Sequence, residues 1–111
     1  MWADNKTEVK AGLRSRAIVN GDRAIGKTEA LIDVIHEDHQ GQAVVVLPTN
    51  TLREIFKCRY HKKYPNDPIP RIDPPHIAGR GMSWPIYADV LQLFPAVDRN
   101  KLDGVLTAAI W

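Results

Sequence analysis

Gly21-Asp22-Arg23-Ala24-Ile25-Gly26-Lys27-Thr28 satisfies the pattern G-x-x-x-x-G-K-[ST] at every specified position. The chemistry such residues can do is to hold a polyphosphate. Successive backbone N–H groups point inward in a loop of this kind, and the helix that follows adds about half a positive charge at its N-terminus. A Cβ at Gly21 or Gly26 would obstruct the turn or the approach of phosphate oxygens. Lys27 would reach the β- and γ-phosphates as a point charge, and Thr28 would offer its hydroxyl to the magnesium ion that bridges them. The expected ligand is ATP or GTP with Mg2+, since nothing outside the loop reads the base. Asp22 is the awkward filling: its carboxylate is repelled by a bound polyanion unless it turns away or pairs with Arg23.

A loop that hydrolyses its nucleotide needs a second acid at the end of a neighbouring strand, close to the magnesium. Asp89, which ends the apolar run Ile86-Tyr87-Ala88, is the candidate. Lys27 and Asp89 are therefore the expected catalytic residues, with Thr28 and Asp89 on the metal side. A glutamate after that acid would orient the attacking water, but this chain has Val90 there. Glu29, Glu37 and Glu54 fall on predicted helices and are poor substitutes. Groups of this kind contribute about 10²–10⁴-fold, so binding is expected and any turnover should be slow.

Arg53, Lys57, Arg59, Lys62 and Lys63 gather along one predicted helix with only Glu54 opposing them. Arg53 and Lys57 are four apart and share a face. The group is a candidate DNA or RNA backbone contact; the alternative is a solvated face. Tyr60 continues an apolar stripe and is expected in the core. His36-Glu37-Asp38-His39 has metal-like spacing but no third His or Cys nearby, and sits at a helix C-terminus, where imidazole is favoured anyway. Cys58, the single cysteine, excludes an internal disulfide and fits a reducing compartment.

The elements needed to position these groups can be read from the pattern. Residues 1–15 form a polar segment in which Trp2, Val9 and Leu13 could dock a short helix, with some fraying. Residues 16–111 are expected to form one domain. Ala17–Asn20 reads as a first strand, and residues 27–38 as a helix with Leu31, Val34 and Ile35 on one face. Ala43-Val44-Val45-Val46-Leu47 has the continuous apolar character of a parallel strand buried on both faces. A helix to Lys63 follows, capped by Thr49 or Asn50, with Leu52, Ile55, Phe56 and Tyr60 buried. Five of the chain's eight prolines lie between Pro65 and Pro75, which predicts an extended connection. Residues 85–90 read as a third strand, Pro95 as a breaker, and Arg99–Trp111 as a last helix capped by Asp98. Alternation of strands and helices predicts an α/β fold: a small parallel sheet of about three strands between helices.

Bulk charge is 15 − 13 = +2, which does not by itself call for nucleic acid. No apolar run approaches the ~20 residues of a membrane span. The polar, acid-bearing N-terminus does not read as a secretory signal. A soluble cytoplasmic protein without membrane partners is expected.

The loop at 21–28 resembles the Walker A motif of P-loop NTPases. Val45-Val46-Leu47-Pro48-Thr49-Asn50-Thr51-Leu52 is similar to the segment after the second strand of helicases, where a Pro-Thr-x-x-Leu pattern begins a helix touching the nucleic-acid backbone. Gly79-Arg80-Gly81 and Ile86 to Gln92 look like the approach to a Walker B acid, with Asp-Val where that family has Asp-Glu. The resemblance, over about residues 16–94, is to the helicase and viral terminase branch. It implies a three-layer core, nucleotide binding with weak hydrolysis, and a role in nucleic-acid transactions such as viral DNA processing in a host cytoplasm. Motors of that branch carry further strands and arginine fingers, so a homo-oligomer or a protein partner would complete the site. A non-hydrolysing scaffold or adaptor is the alternative. A small-molecule kinase would need a lid, which only residues 65–75 could supply.

Overall fold

The computed structural model describes the whole chain, Met1–Trp111. In order, the elements are α1 (Lys6–Arg14), β1 (Ile18–Val19), α2 (Lys27–His39), β2 (Val44–Val46), α3 (Asn50–Lys63), β3 (Arg71–Asp73), β4 (Ile86–Ala88), α4 (Ala96–Leu102) and β5 (Ala108–Ile110). Single 3₁₀ turns occur at Arg23–Ile25, Pro75–Ile77 and Leu91–Leu93. The strands form one parallel sheet in the order β1-β5-β4-β2-β3. The fold is α/β, a five-stranded parallel sheet flanked by helices.

The valines of β2 are wholly buried, as their unbroken β-branched run requires. Val45 joins Val19, Tyr87, Ala108 and Ile110 on one face, beneath α1, α2 and α3. Val44 and Val46 join Ala88 and Ala109 on the other, covered by Leu91, Phe94 and, from α4, Leu102. Thr49 caps α3 by accepting from the Leu52 N–H at 3.2 Å, and Phe56 and Tyr60 are its buried residues. Ile55, expected beside them, is 48% exposed.

Two strands lie where the sequence predicts none. β3 sits inside the proline-rich connection and pairs with β2 on the sheet's outer edge. Prolines are tolerated there because they flank the three paired residues and an edge strand needs donors on one side only. β5 replaces the second half of the predicted helix Arg99–Trp111. The helix begins earlier, at Ala96 after Pro95, and ends at Leu102; Gly104, at φ +81°, follows. Alanine favours helix intrinsically, but Ala108 and Ala109 pair between β1 and β4 and are buried there, so burial overrides propensity. The third predicted strand, now β4, consequently lies beside β5 and β2, with β5 separating it from β1.

The N-terminal segment is tied to the body. The Met1 ammonium donates to the Ile18 carbonyl at 2.8 Å, the Ala3 N–H donates to Asn20 at 2.7 Å, and Trp2 forms a parallel bridge with Asn20. α1 packs on α2 and buries Val9 and Leu13, whereas Trp2 is 60% exposed. Lys10 and Arg14 pair with Glu37 and Asp38 on α2. Truncation of Leu13 to alanine should therefore cost about 2–5 kcal/mol in denaturant unfolding, the range for a packed core leucine. A loss below 0.5 kcal/mol would mean that α1 is not part of the core.

Asp33 fastens three helices from the middle of α2. It accepts from the Tyr64 hydroxyl just after α3 and pairs with Lys6 of α1 and Lys63 of α3. Burial alone would raise its pKa; the bonds from Lys6, Lys63 and Tyr64 hold it at about 2. A folded value below the unfolded one stabilises above the ordinary carboxylate range, and that stabilisation is lost as pH falls toward 2. Asp33→Asn should cost on the order of 2 kcal/mol at pH 7, and the gap from the parent should close in urea titrations near pH 2.

Candidate phosphate-binding site

In a parallel sheet every strand ends on the same side, and the crevice beyond those ends is where ligands bind. Here the loop after β1, Asp89 after β4 and Trp111 after β5 meet at that edge around a cleft of about 380 Å³. Arg23, Gly26, Lys27, Thr28, Arg59 and Asp89 supply its polar wall; Leu93, Ile110 and Trp111 line its apolar side.

The loop at 21–28 leaves β1 and makes one 3₁₀ turn through Arg23, Ala24 and Ile25 before α2 starts. Gly26 is at φ +76°, the left-handed conformation in which a side chain is strained, and this reversal aims the start of α2. Gly21 is required for space: a Cβ there would lie 2.8 Å from the Ala3 carbonyl oxygen and closer still to Ile25. Ile25 packs against the main core and anchors the loop from below. No side chain caps α2, so the N–H groups of its first turn lack the partner a Ser or Asp would provide. Lys27 folds back and donates its Nζ to the Gly21 carbonyl, closing the loop on itself. Asp22 and Arg23 are both exposed; Arg23 lines the cleft and Asp22 does not.

Thr28 Oγ1 donates to Asp89 Oδ2 at 2.9 Å, joining residues 61 apart in the chain. The other Asp89 oxygen accepts from the Val90 N–H at 2.8 Å. Asp89 is 3% exposed, and burial raises its pKa against the opposing influence of these two bonds and of the Arg59 and Lys27 charges. Val90 adopts φ +47°, a strained backbone for a β-branched residue that costs on the order of 1–3 kcal/mol. The Asp89 carboxylate is held by its two bonds, to the Thr28 hydroxyl and to the Val90 N–H.

The five basic residues of α3 are divided by the fold. Arg59 donates to Glu29 at 2.7 Å, and Lys63 binds both Glu29 and Asp33. Arg53 donates to the Leu47 carbonyl at 2.8 Å, and Lys57 pairs with Glu54 on its own helix. Lys62 is exposed, with no partner. Sequence placed Arg59 with the nucleic-acid contacts; the structure puts it on the cleft wall. The signal was present, because Leu52, Ile55 and Arg59 are three and four apart and together line a pocket of about 70 Å³ beside Asp89. Trp111, which the sequence suggests as a packing residue at the end of a helix, instead follows β5 and lines the cleft.

The His36–His39 segment is structural. His36 Nδ1 lies 2.7 Å from Asp67 and its ring stacks on Tyr64, while His39 bonds the Tyr87 hydroxyl. No cluster of three His, Cys, Asp or Glu side chains is close enough to hold a metal ion. Cys58 is exposed on α3. No helix is long and apolar enough to cross a membrane. No family model, curated protein or solved structure matches the chain.

Proposed function

We propose that this chain binds ATP or GTP with magnesium through residues 21–28 and Asp89, as a small protein of the P-loop NTPase type. What carries the reading is the Thr28–Asp89 hydrogen bond. It brings the hydroxyl expected at the metal and the acid expected behind it into direct contact, beside Lys27 and an uncapped helix start. The donor set fits the group. Magnesium on a triphosphate takes much of its coordination from phosphate and water, so a hydroxyl and a nearby carboxylate are an adequate share for the protein. When bound, the ion neutralises phosphate charge. Lys27 would exchange the Gly21 carbonyl for phosphate oxygens, and the first turn of α2 would donate its N–H groups.

Slow turnover follows from the same geometry. Val90 carries no acid, and the glutamates are engaged elsewhere: Glu29 by Arg59 and Lys63, Glu37 by Lys10 and Arg14, Glu54 by Lys57. That observation also favours the second reading, a scaffold or adaptor that binds nucleotide without hydrolysing it and works through a protein partner or a second copy. A kinase is disfavoured, since residues 65–75, its only candidate lid, carry strand β3 at the sheet edge farthest from β1.

A role in nucleic-acid transactions, including viral DNA processing, rests on α3 and on the resemblance of the Pro-Thr segment. With Arg59 and Lys63 paired to α2, the contacts proposed for phosphate are Lys62, Lys57 by exchange from Glu54, and Arg53 beside its bond to the Leu47 carbonyl.

Lys27→Ala should abolish magnesium-ATP and magnesium-GTP binding in calorimetry, and equal affinity in mutant and parent would defeat the reading. Phosphate release at saturating nucleotide separates a slow NTPase from a scaffold, which gives none above background. For DNA or RNA, three contacts predict a slope of log affinity against log salt of about −3 or shallower, and a flat response removes nucleic acid.

A further inference from the structure

Arg59 stands between two sites. Its side chain is 42% exposed, lines the cleft together with Lys27, Thr28 and Asp89, and is held by Glu29, the residue after Thr28. Glu29 divides its carboxylate: Oε1 accepts from Arg59 at 2.7 Å and Oε2 from Lys63 at 2.9 Å. Lys63 is the firmer partner, because it also binds Asp33, which is nearly buried. The Glu29 carboxyl is held below its usual range by Lys63 first and by Arg59 second. If Arg59 leaves, Glu29 remains paired. A guanidinium on a cleft wall with a replaceable carboxylate partner is suited to exchange that carboxylate for a phosphate, which its planar fork matches equally well.

We propose that Arg59 is the residue that distinguishes nucleoside triphosphate from diphosphate: it moves from Glu29 to the terminal phosphate when a triphosphate fills the cleft, and stays on Glu29 when a diphosphate does. The inference rests on the nucleotide-binding reading above and assigns the γ-phosphate contact within that site. It also gives the pairing a mechanical consequence. Arg59 lies on α3 and Glu29 on the first turn of α2, so the exchange releases one of the ties between these helices, while Lys63 keeps the others.

The test is calorimetry on the full chain with magnesium ADP and with the magnesium β,γ-imido triphosphate, repeated in the guanine series. The parent should prefer the triphosphate. Arg59→Ala should lose roughly tenfold or more of triphosphate affinity, the loss expected for a charge-assisted contact, and leave diphosphate affinity unchanged. Glu29→Gln breaks the same ion pair yet frees the guanidinium, so it should raise triphosphate affinity severalfold. Arg59→Lys, which keeps a cation beside Glu29 and protects the fold, should show a partial loss confined to the triphosphate. An unchanged triphosphate-to-diphosphate ratio in Arg59→Ala overturns the assignment. So does a Glu29→Gln variant that weakens both nucleotides alongside Arg59→Ala, the result expected of a purely structural tie. If Lys27→Ala abolishes binding while the Arg59 variants keep the parent's ratio, only the Arg59 assignment fails. If the parent binds neither nucleotide, the nucleotide reading fails and Arg59 falls with it.

Discussion

A parallel strand buried on both sides cannot leave either face in water, and β2 imposes that constraint on the whole chain. Val44, Val45 and Val46 are wholly buried and hydrogen-bonded in register with β3 on one side and β4 on the other. Both faces therefore need cover. α1, α2 and α3 cover one; α4 and the turn through Leu91 cover the other. Because the strands run the same way, their ends fall on one edge. The chemistry-bearing residues Lys27, Thr28, Asp89 and Trp111 meet there without any being adjacent in sequence to all the others.

Around that core the charged residues perform two different tasks. Lys10 and Arg14 against Glu37 and Asp38 are exposed pairs of the sort that contributes little individually. Asp33 differs because it is buried and satisfied by Lys6, Lys63 and Tyr64 together. Removing such partners leaves a charge without water, so this cluster holds α1, α2 and α3 in a fixed relation. The Glu29–Arg59 pair extends the same chain of charges to the cleft, where it becomes exposed enough to be exchanged. In the proposed exchange, stability and ligand response would share a path along α2.

Much of the candidate site was legible because it is local. The loop between Gly21 and Thr28 and the helix after it depend on residues close together in sequence. The β2 valines and the Thr49 cap are likewise short-range signals, and the observed β2 and α3 follow them. Asp89 was singled out by its place after an apolar run, and the structure sets it against Thr28. At β5 the local signals conflict: Asp103-Gly104 is a helix stop, while Leu102, Val105, Leu106, Ala109 and Ile110 keep the apolar spacing of a helix face. Val105 is in fact 45% exposed and Ala109 is buried in the sheet.

By itself the sequence determined the phosphate-loop pattern, the first helix–strand–helix run after it and the α/β class. Those follow from turn chemistry and periodicity over a few residues. Tertiary structure alone decided that Ala108–Ile110 enters the sheet, that β5 separates β1 from β4, and that Arg59 and Lys63 serve α2 instead of forming one open basic face. The physical reason is common to all three. Strand insertion and ion pairing are settled by which groups are buried or brought close across long separations, and no local propensity or charge count carries that information.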